Sequence, residues 1–429
     1  MILSVTRSSL AGAIRIPASK SHTIRGVMVG TAAGGASILT DPLDAADTQS
    51  AASCCTALGA RIARRDRQWT VEGVGGRLPV TAAELDVGNS GTTLGNLIGL
   101  CATGSARCAL DGDASIRSRP FAALLRSVEQ LGAHVERSGP NGTAPIVLHG
   151  PLRGGEASID GTTSIYLTPL LVACPLASGR SVLQVDGEMH EQGYVRMTLD
   201  WLRSAGIEIH ANDTLTRFEV AGGQTYQPVK RVIPADFSSA AFPACAAALA
   251  AREDVVLEGL DFSDTQGDKV VFDWLCDMGA EIIHEDRGAV LVRPGAHLNG
   301  QRLDLSGAPD ALPILAVVAC AAEGETHLEN VAMARIKETD RIAVMCKELS
   351  KMGARIEESP DGLVIRHSEL HGADVDGHDD HRVVMALAVA GMIASGTTRI
   401  RGAECARITY PTFVASMRGI GAELSTVED

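Results

Sequence analysis

The chain has 429 residues, 45% hydrophobic and 21% charged, with 38 Lys and Arg against 52 Asp and Glu for a net charge of −14. That length suits two to four domains with ample core and no need of disulfide or metal staples. The acidic balance disfavours a nucleic-acid or anionic-membrane surface, and aromatics at 3% leave few rings for base stacking.

Met1-Ile2-Leu3-Ser4-Val5-Thr6-Arg7 has no signal-peptide core, and apolar runs such as Ala311–Ala322 are too short to span a bilayer. The 10 cysteines form no Cys-x-x-Cys pair and mostly sit in small apolar runs, so they read as reduced core residues of a cytoplasmic protein.

Along the chain one pattern recurs six times. A helix rich in small residues is predicted to lead into a strand at Gly30–Leu39, Leu97–Leu110, Leu170–Val185, Ala240–Leu257, Ala311–Leu328 and Val383–Ile400. Small side chains let such helices pack closely on all sides. In the same phase a second helix is predicted to stop at Gly59, Gly132, Gly206, Gly279, Gly353 and Gly421, spaced by 73, 74, 73, 74 and 68 residues. Each glycine supplies the left-handed residue that ends a helix, and the next residues read as a strand. The unit so predicted runs helix, strand, strands, helix, strand. Three units precede Lys230–Pro234 and three follow, which suggests two similar lobes.

Polar clusters keep this phase. Lys20-Ser21-His22, Asn89-Ser90-Gly91-Thr92, Thr162-Thr163-Ser164, Asp236-Phe237-Ser238, Pro309-Asp310 and Asp379-Asp380-His381-Arg382 open the buried helices. Arg117-Ser118-Arg119-Pro120 and the stretch Arg335–Arg341 open second helices. Helix N-termini carry unpaired amides and a partial positive charge, so they suit anions. Lys20 and Arg25, with Ser21 as cap, fit a phosphate or carboxylate; a capped helix with solvated charges fits equally. Asn89–Thr92 also reads as an ordinary hydroxyl-rich cap. Arg335–Arg341 alternates in sign as a solvated face does, yet cations at a helix start oppose the dipole and call for an anionic partner. Two carboxylates, an imidazole and a guanidinium entering the apolar run Val383–Ala394 together point to a site. No Cys/His spacing supports zinc there, and the chain has neither a nucleophile elbow nor a Walker loop.

These motifs, in this order and on six repeats, resemble the 5-enolpyruvylshikimate-3-phosphate synthase family over essentially the whole chain. The resemblance implies an α/β fold: a two-lobed inside-out α/β barrel with three repeated units per lobe, its helix N-termini converging on an interlobe cleft. The lobes would be 18–232, on the acceptor side, and 1–17 plus 233–429, on the phosphoenolpyruvate and acid–base side. It implies transfer of the carboxyvinyl group of phosphoenolpyruvate to a hydroxyl of shikimate 3-phosphate, through a tetrahedral intermediate, with release of phosphate. No cofactor or metal is implied, and the partners are those two small molecules, with neither nucleic acid nor membrane, on a monomer.

By motif, Lys20, Asp310, Glu338 and His381 match the family's catalytic positions. Lys20, Gly91, Arg119, Arg341 and Arg382 match the phosphoenolpyruvate set, the last two as carboxylate clamps. Ser21, Arg25, Thr163, Ser164, Tyr194, Asp310 and Lys337 match acceptor positions. The departures fall mainly on the acceptor side. Gly95 stands where the family usually has arginine, Ile165 where it has the Gln of Ser-Ser-Gln, and Glu191 where a serine helps bind the acceptor's phosphate. Met333 replaces an asparagine and Ile408 a late lysine. A paralogue acting on another alcohol, for example a nucleotide, therefore stands beside the shikimate 3-phosphate reading. A UDP-N-acetylglucosamine acceptor fits less well, because the loop Asp113–Arg119 lacks the related family's catalytic cysteine. A binding clamp without chemistry leaves Asp310 and Glu338 unexplained.

Overall fold

The computed structural model describes residues 1–285 and 288–427. The chain divides into two compact units, Ala18–Ile233 and Met1–Pro17 with Pro234–Asp429. Each unit is built from three copies of one α/β repeat, and the described residues form six four-stranded sheets. In the first unit the helices are α1 (Lys20–Ala32), α2 (Ala46–Ala57), α3 (Gly91–Ala102), α4 (Ala122–Gln130), α5 (Thr168–Ala173) and α6 (Gln192–Ser204). In the second they are α7 (Phe237–Ala250), α8 (Val270–Met278), α9 (Leu312–Ala321), α10 (Arg341–Lys351), α11 (His381–Ile393) and α12 (Phe413–Gly419).

One repeat shows the plan. Strand Ala82–Asp86 leads through α3 to the parallel strand Arg107–Asp111; α4 follows, then the antiparallel pair His134–Arg137 and Ile146–His149. Register puts the apolar face inward, Cys108 opposite Leu148 and Leu110 opposite Ile146, all four buried. The order differs from the expected one. Only one strand, Arg107–Asp111, separates the two helices; the further strands follow the second helix as a hairpin. The chain ends also cross over. Lys230–Val232 completes the first repeat beside Ala36–Thr40, and Leu10–Arg15 opens the fourth beside Ala251–Glu258. Ile2–Thr6 lies between Thr397–Arg401 and Leu424–Val427 in the sixth. Both N-terminal strands, Ile2–Thr6 and Leu10–Arg15, belong to the second unit.

The odd-numbered helices are the buried ones. In α11 every residue from His381 to Met392 is buried, and in α1 all but Lys20 and Ser21. Their small residues permit this: a Cβ on Gly99 of α3 would lie 2.5 Å from the carbonyl of Pro169 on α5. The even-numbered helices bury one face, as α10 does with Ile342, Met345 and Leu349. All six repeat glycines adopt positive φ, from 76° at Gly206 to 117° at Gly279. That conformation is why the chain can stop each helix and turn into a strand.

The helix starts depart from expectation in detail. Ser19 caps α1, its Oγ accepting from His22 N, so Ser21 is already inside the helix. Helix α10 begins at Arg341 under an Asp340 cap, leaving Lys337 and Glu338 in the preceding turn. All 10 cysteines are free; eight are buried, but Cys276 is exposed and Cys346 intermediate. No described helix is long and apolar enough to cross a membrane.

Candidate active site

The second unit brings the starts of three buried helices together around charge. Arg341, 1% exposed, donates from Nη1 to Asp310 Oδ1 at 2.7 Å and from Nη2 to Glu338 Oε2 at 2.6 Å. Its Nε reaches Asp380 Oδ2 at 2.8 Å and its Nη2 reaches Asp380 Oδ1 at 3.2 Å. Arg382, in the first turn of α11, contacts Asp310 Oδ2 at 3.0 Å and donates to Ser238 Oγ, in the first turn of α7, at 2.6 Å. Lys337 Nζ stands 3.8 Å from Asp310 Oδ1. Asp380 caps α11 by accepting from Arg382 N at 2.8 Å, and His381 is buried beside it.

Three cations thus face three carboxylates. Burial by itself would raise the Asp310 pKa, but Arg382, Lys337 and Arg341 together hold it well below the usual carboxylate range. Burial would lower Arg341, and Asp380, Glu338 and Asp310 more than reverse that. A fork so charged and desolvated is suited to a planar anion. An incoming carboxylate has to take the place of one already bound.

The first unit holds a second constellation. Lys20 Nζ lies 3.1 Å from Asp47 Oδ2, the side chains 15% and 4% exposed, and Thr93 Oγ1 of α3 reaches the Asp47 carbonyl at 3.5 Å. These contacts join the starts of α1, α2 and α3. Arg119 Nη2 donates to Ser115 Oγ at 3.1 Å, and its Nη1 would lie 2.4 Å from a Cβ on Gly91. Glycine thus leaves room for the guanidinium to cross the start of α3. Arg25 is buried, with Nε on Thr198 Oγ1 at 2.8 Å, Nη1 on the Ser21 carbonyl and Nη2 on the Tyr194 carbonyl, both at 3.2 Å. Burial pulls its guanidinium down to about 10, with Tyr194 and Glu191 opposing. It stays charged at neutral pH.

Glu191 is the unexpected member. It is 4% exposed, with φ of 53° at the cap of α6. Its Oε2 accepts from Thr163 Oγ1, Ser164 N and Ser164 Oγ, each at 2.8 Å. Two other departures meet: a Cβ on Gly95 would come 3.0 Å from Ile165 Cγ1. Ile165 thus fills the space that a larger residue at 95 would need.

Asp310, Lys337, Glu338, Arg341 and Arg382, all predicted from sequence, form one cluster in the second unit, with His381 beside it, whereas the predicted residues of the first are grouped in pairs and triplets. Sequence reasoning missed Asp47 and Ser238 as partners of Lys20 and Arg382. Both are helix-start residues, and that position is the one signal they carry.

The family model for EPSP synthase (3-phosphoshikimate 1-carboxyvinyltransferase) matches residues 5–417. The 3-phosphoshikimate 1-carboxyvinyltransferase of Acetivibrio thermocellus is 46% identical over 428 residues, covering 100% of both chains. That of Ruminiclostridium cellulolyticum is 43% identical over 427 residues, again covering 100% of both. An EPSP synthase structure from Acinetobacter baumannii superposes with a TM-score of 0.82 at 27% identity, covering 99% of this chain and 100% of that one. A match spanning nearly every residue, in sequence and in fold, places the chain in the EPSP synthase family.

Proposed function

We propose that this chain transfers the carboxyvinyl group of phosphoenolpyruvate to a hydroxyl of shikimate 3-phosphate and releases phosphate. One observation carries the chemistry: Arg341 and Arg382 share Asp310, with Glu338 on the same fork. Addition to the enol phosphate of phosphoenolpyruvate needs a carboxylate clamp, a proton donor at C3 and an acceptor for the hydroxyl proton. The two arginines clamp the substrate carboxylate. Glu338, in its carboxylic acid form, protonates the methylene while the hydroxyl, oriented by Asp310 and giving its proton to it, attacks C2 and forms the tetrahedral intermediate. Asp310 is a weak base while three cations hold it, and it gains basicity as the substrate carboxylate takes Arg341 and Arg382 from it. Phosphate then leaves, and the Glu338 carboxylate takes a proton back from C3. Lys20 and Arg119, with Gly91 leaving room for the latter, bind the phosphate; His381 completes the set beside Arg382. Ser21, Arg25, Thr163, Ser164, Tyr194 and Lys337 hold the acceptor. Cysteines that are all free and mostly buried support a cytoplasmic setting. Replacing Glu338 with Gln should lower kcat by about 10²–10⁴-fold. Full turnover in that variant would overturn its role.

A second reading, transfer to a different alcohol such as a nucleotide, is favoured by Glu191. Its carboxylate occupies the donors of Thr163 and Ser164 that an acceptor's phosphate would use. Turnover of a panel of alcohols beside shikimate 3-phosphate separates the two.

A further inference from the structure

Seven residues, or two turns, along α10 from Arg341, the helix buries a second charged group on the same face. Glu348 has no exposed side-chain surface. Its Oε1 meets His378 Nε2 at 2.9 Å, and its Oε2 accepts from Asp376 N at 3.0 Å and from Lys351 Nζ at 2.6 Å. Lys347 Nζ lies 3.8 Å from Oε1. Glu348 therefore grips the segment Asp376–His378, while Arg341, on the same helix, grips Asp380.

Between these two grips the backbone is strained. His378 and Asp379 have φ of 50° and 55°, two consecutive left-handed residues without a glycine. Gly377, just before them, has no room for a side chain, because a Cβ there would meet Val384 Cγ2 at 2.2 Å. Within the turn, His378 N donates to Asp376 Oδ1 at 2.7 Å and Asp380 N to the Gly377 carbonyl at 2.9 Å. Such a conformation persists where its surroundings over-determine it, and it delivers Asp380, His381 and Arg382 into the first turn of α11.

We propose that Glu348 is a positioning residue for phosphoenolpyruvate. Anchoring the strained turn to α10, it sets the aim of Arg382 and the placement of Asp380 against Arg341. The inference rests on reading Arg341 and Arg382 as the carboxylate clamp. A carboxylate that merely stabilised the fold would change the amount of folded enzyme and leave the substrate constants alone.

The test is steady-state phosphate release from phosphoenolpyruvate and shikimate 3-phosphate by wild type, Glu348→Ala, Glu348→Gln and His378→Asn, each checked for folding by circular dichroism. Glu348→Ala should raise KM for phosphoenolpyruvate about tenfold or more and move the acceptor KM by less than about threefold. Glu348→Gln keeps an oxygen for Asp376 N and should recover most of that loss. His378→Asn tolerates the left-handed backbone and should shift the same constant in the same direction, which tests the proposal even if Glu348→Ala does not fold. Unchanged phosphoenolpyruvate KM in the folded variants, or an equal rise in both constants, overturns the proposal. No turnover by wild type would instead overturn the functional reading beneath it.

Discussion

Arg341 and Asp380 hold each other through two parallel bonds, 2.8 Å from Nε and 3.2 Å from Nη2, with the side chains 1% and 0% exposed. The same carboxylate caps α11 at Arg382 N. One residue thus joins the helix that starts with Arg341 to the helix that carries Arg382. Removing one partner of a buried pair leaves the other charged and desolvated, at about 3–5 kcal/mol. Asp380→Ala should cost about that much, read as a lower urea midpoint for the second unit. A loss under about 1 kcal/mol would show that the pair is replaceable.

Gly91 gives a prediction in which fold and function separate. A Cβ there meets the end of the flexible Arg119 side chain, not backbone. Gly91→Ala should therefore leave the melting temperature unchanged or slightly raised, since alanine is the better helix former by about 1 kcal/mol. Displacing the guanidinium should raise KM for phosphoenolpyruvate, and an unchanged KM would remove Arg119 from the substrate site.

Glu191 competes with any anion for Thr163 and Ser164. Glu191→Asn removes the charge and tolerates the positive φ. If shikimate 3-phosphate is the acceptor, its KM should fall by about tenfold, the equivalent of one charge-assisted hydrogen bond. A rise in KM would mean that the carboxylate itself reads the acceptor.

Acid should destabilise the second unit. Burial opposes the charge of both Asp310 and Glu348, yet the three cations around Asp310, and the hydrogen bonds of Glu348 with His378, Lys351 and Asp376 N, hold both below the ordinary carboxylate range. A depressed folded pKa contributes stability above the unfolded value, about pH 4, that is lost as pH falls through the folded one. Unfolding free energy should therefore drop below about pH 4, and less steeply in Asp310→Asn. Equal slopes would show that Asp310 does not carry the linkage.

Much of this architecture is written in the chain's periodicity. The six glycines and the polar helix starts were legible because a left-handed stop and a capped N-terminus each demand particular residues. The order of strands was not. Gln68–Glu72 alternates exposed and buried residues as a half-buried strand does, but nothing in that alternation says that it follows the second helix and pairs with Arg61–Arg65. Partnerships across the fold were invisible for another reason: Arg382 and Ser238 lie 144 residues apart, and only packing brings them together. Glu191 stood out as a departure, but its three donors could be seen only in three dimensions.

The central claim is the reaction itself, and the most direct measurement is phosphate release from phosphoenolpyruvate in the presence of shikimate 3-phosphate, followed by detection of the enol ether product. Stoichiometric release that depends on both substrates and collapses in Glu338→Gln is the predicted result. Release that is absent with shikimate 3-phosphate, while another alcohol supports it, would contradict the account of the acceptor.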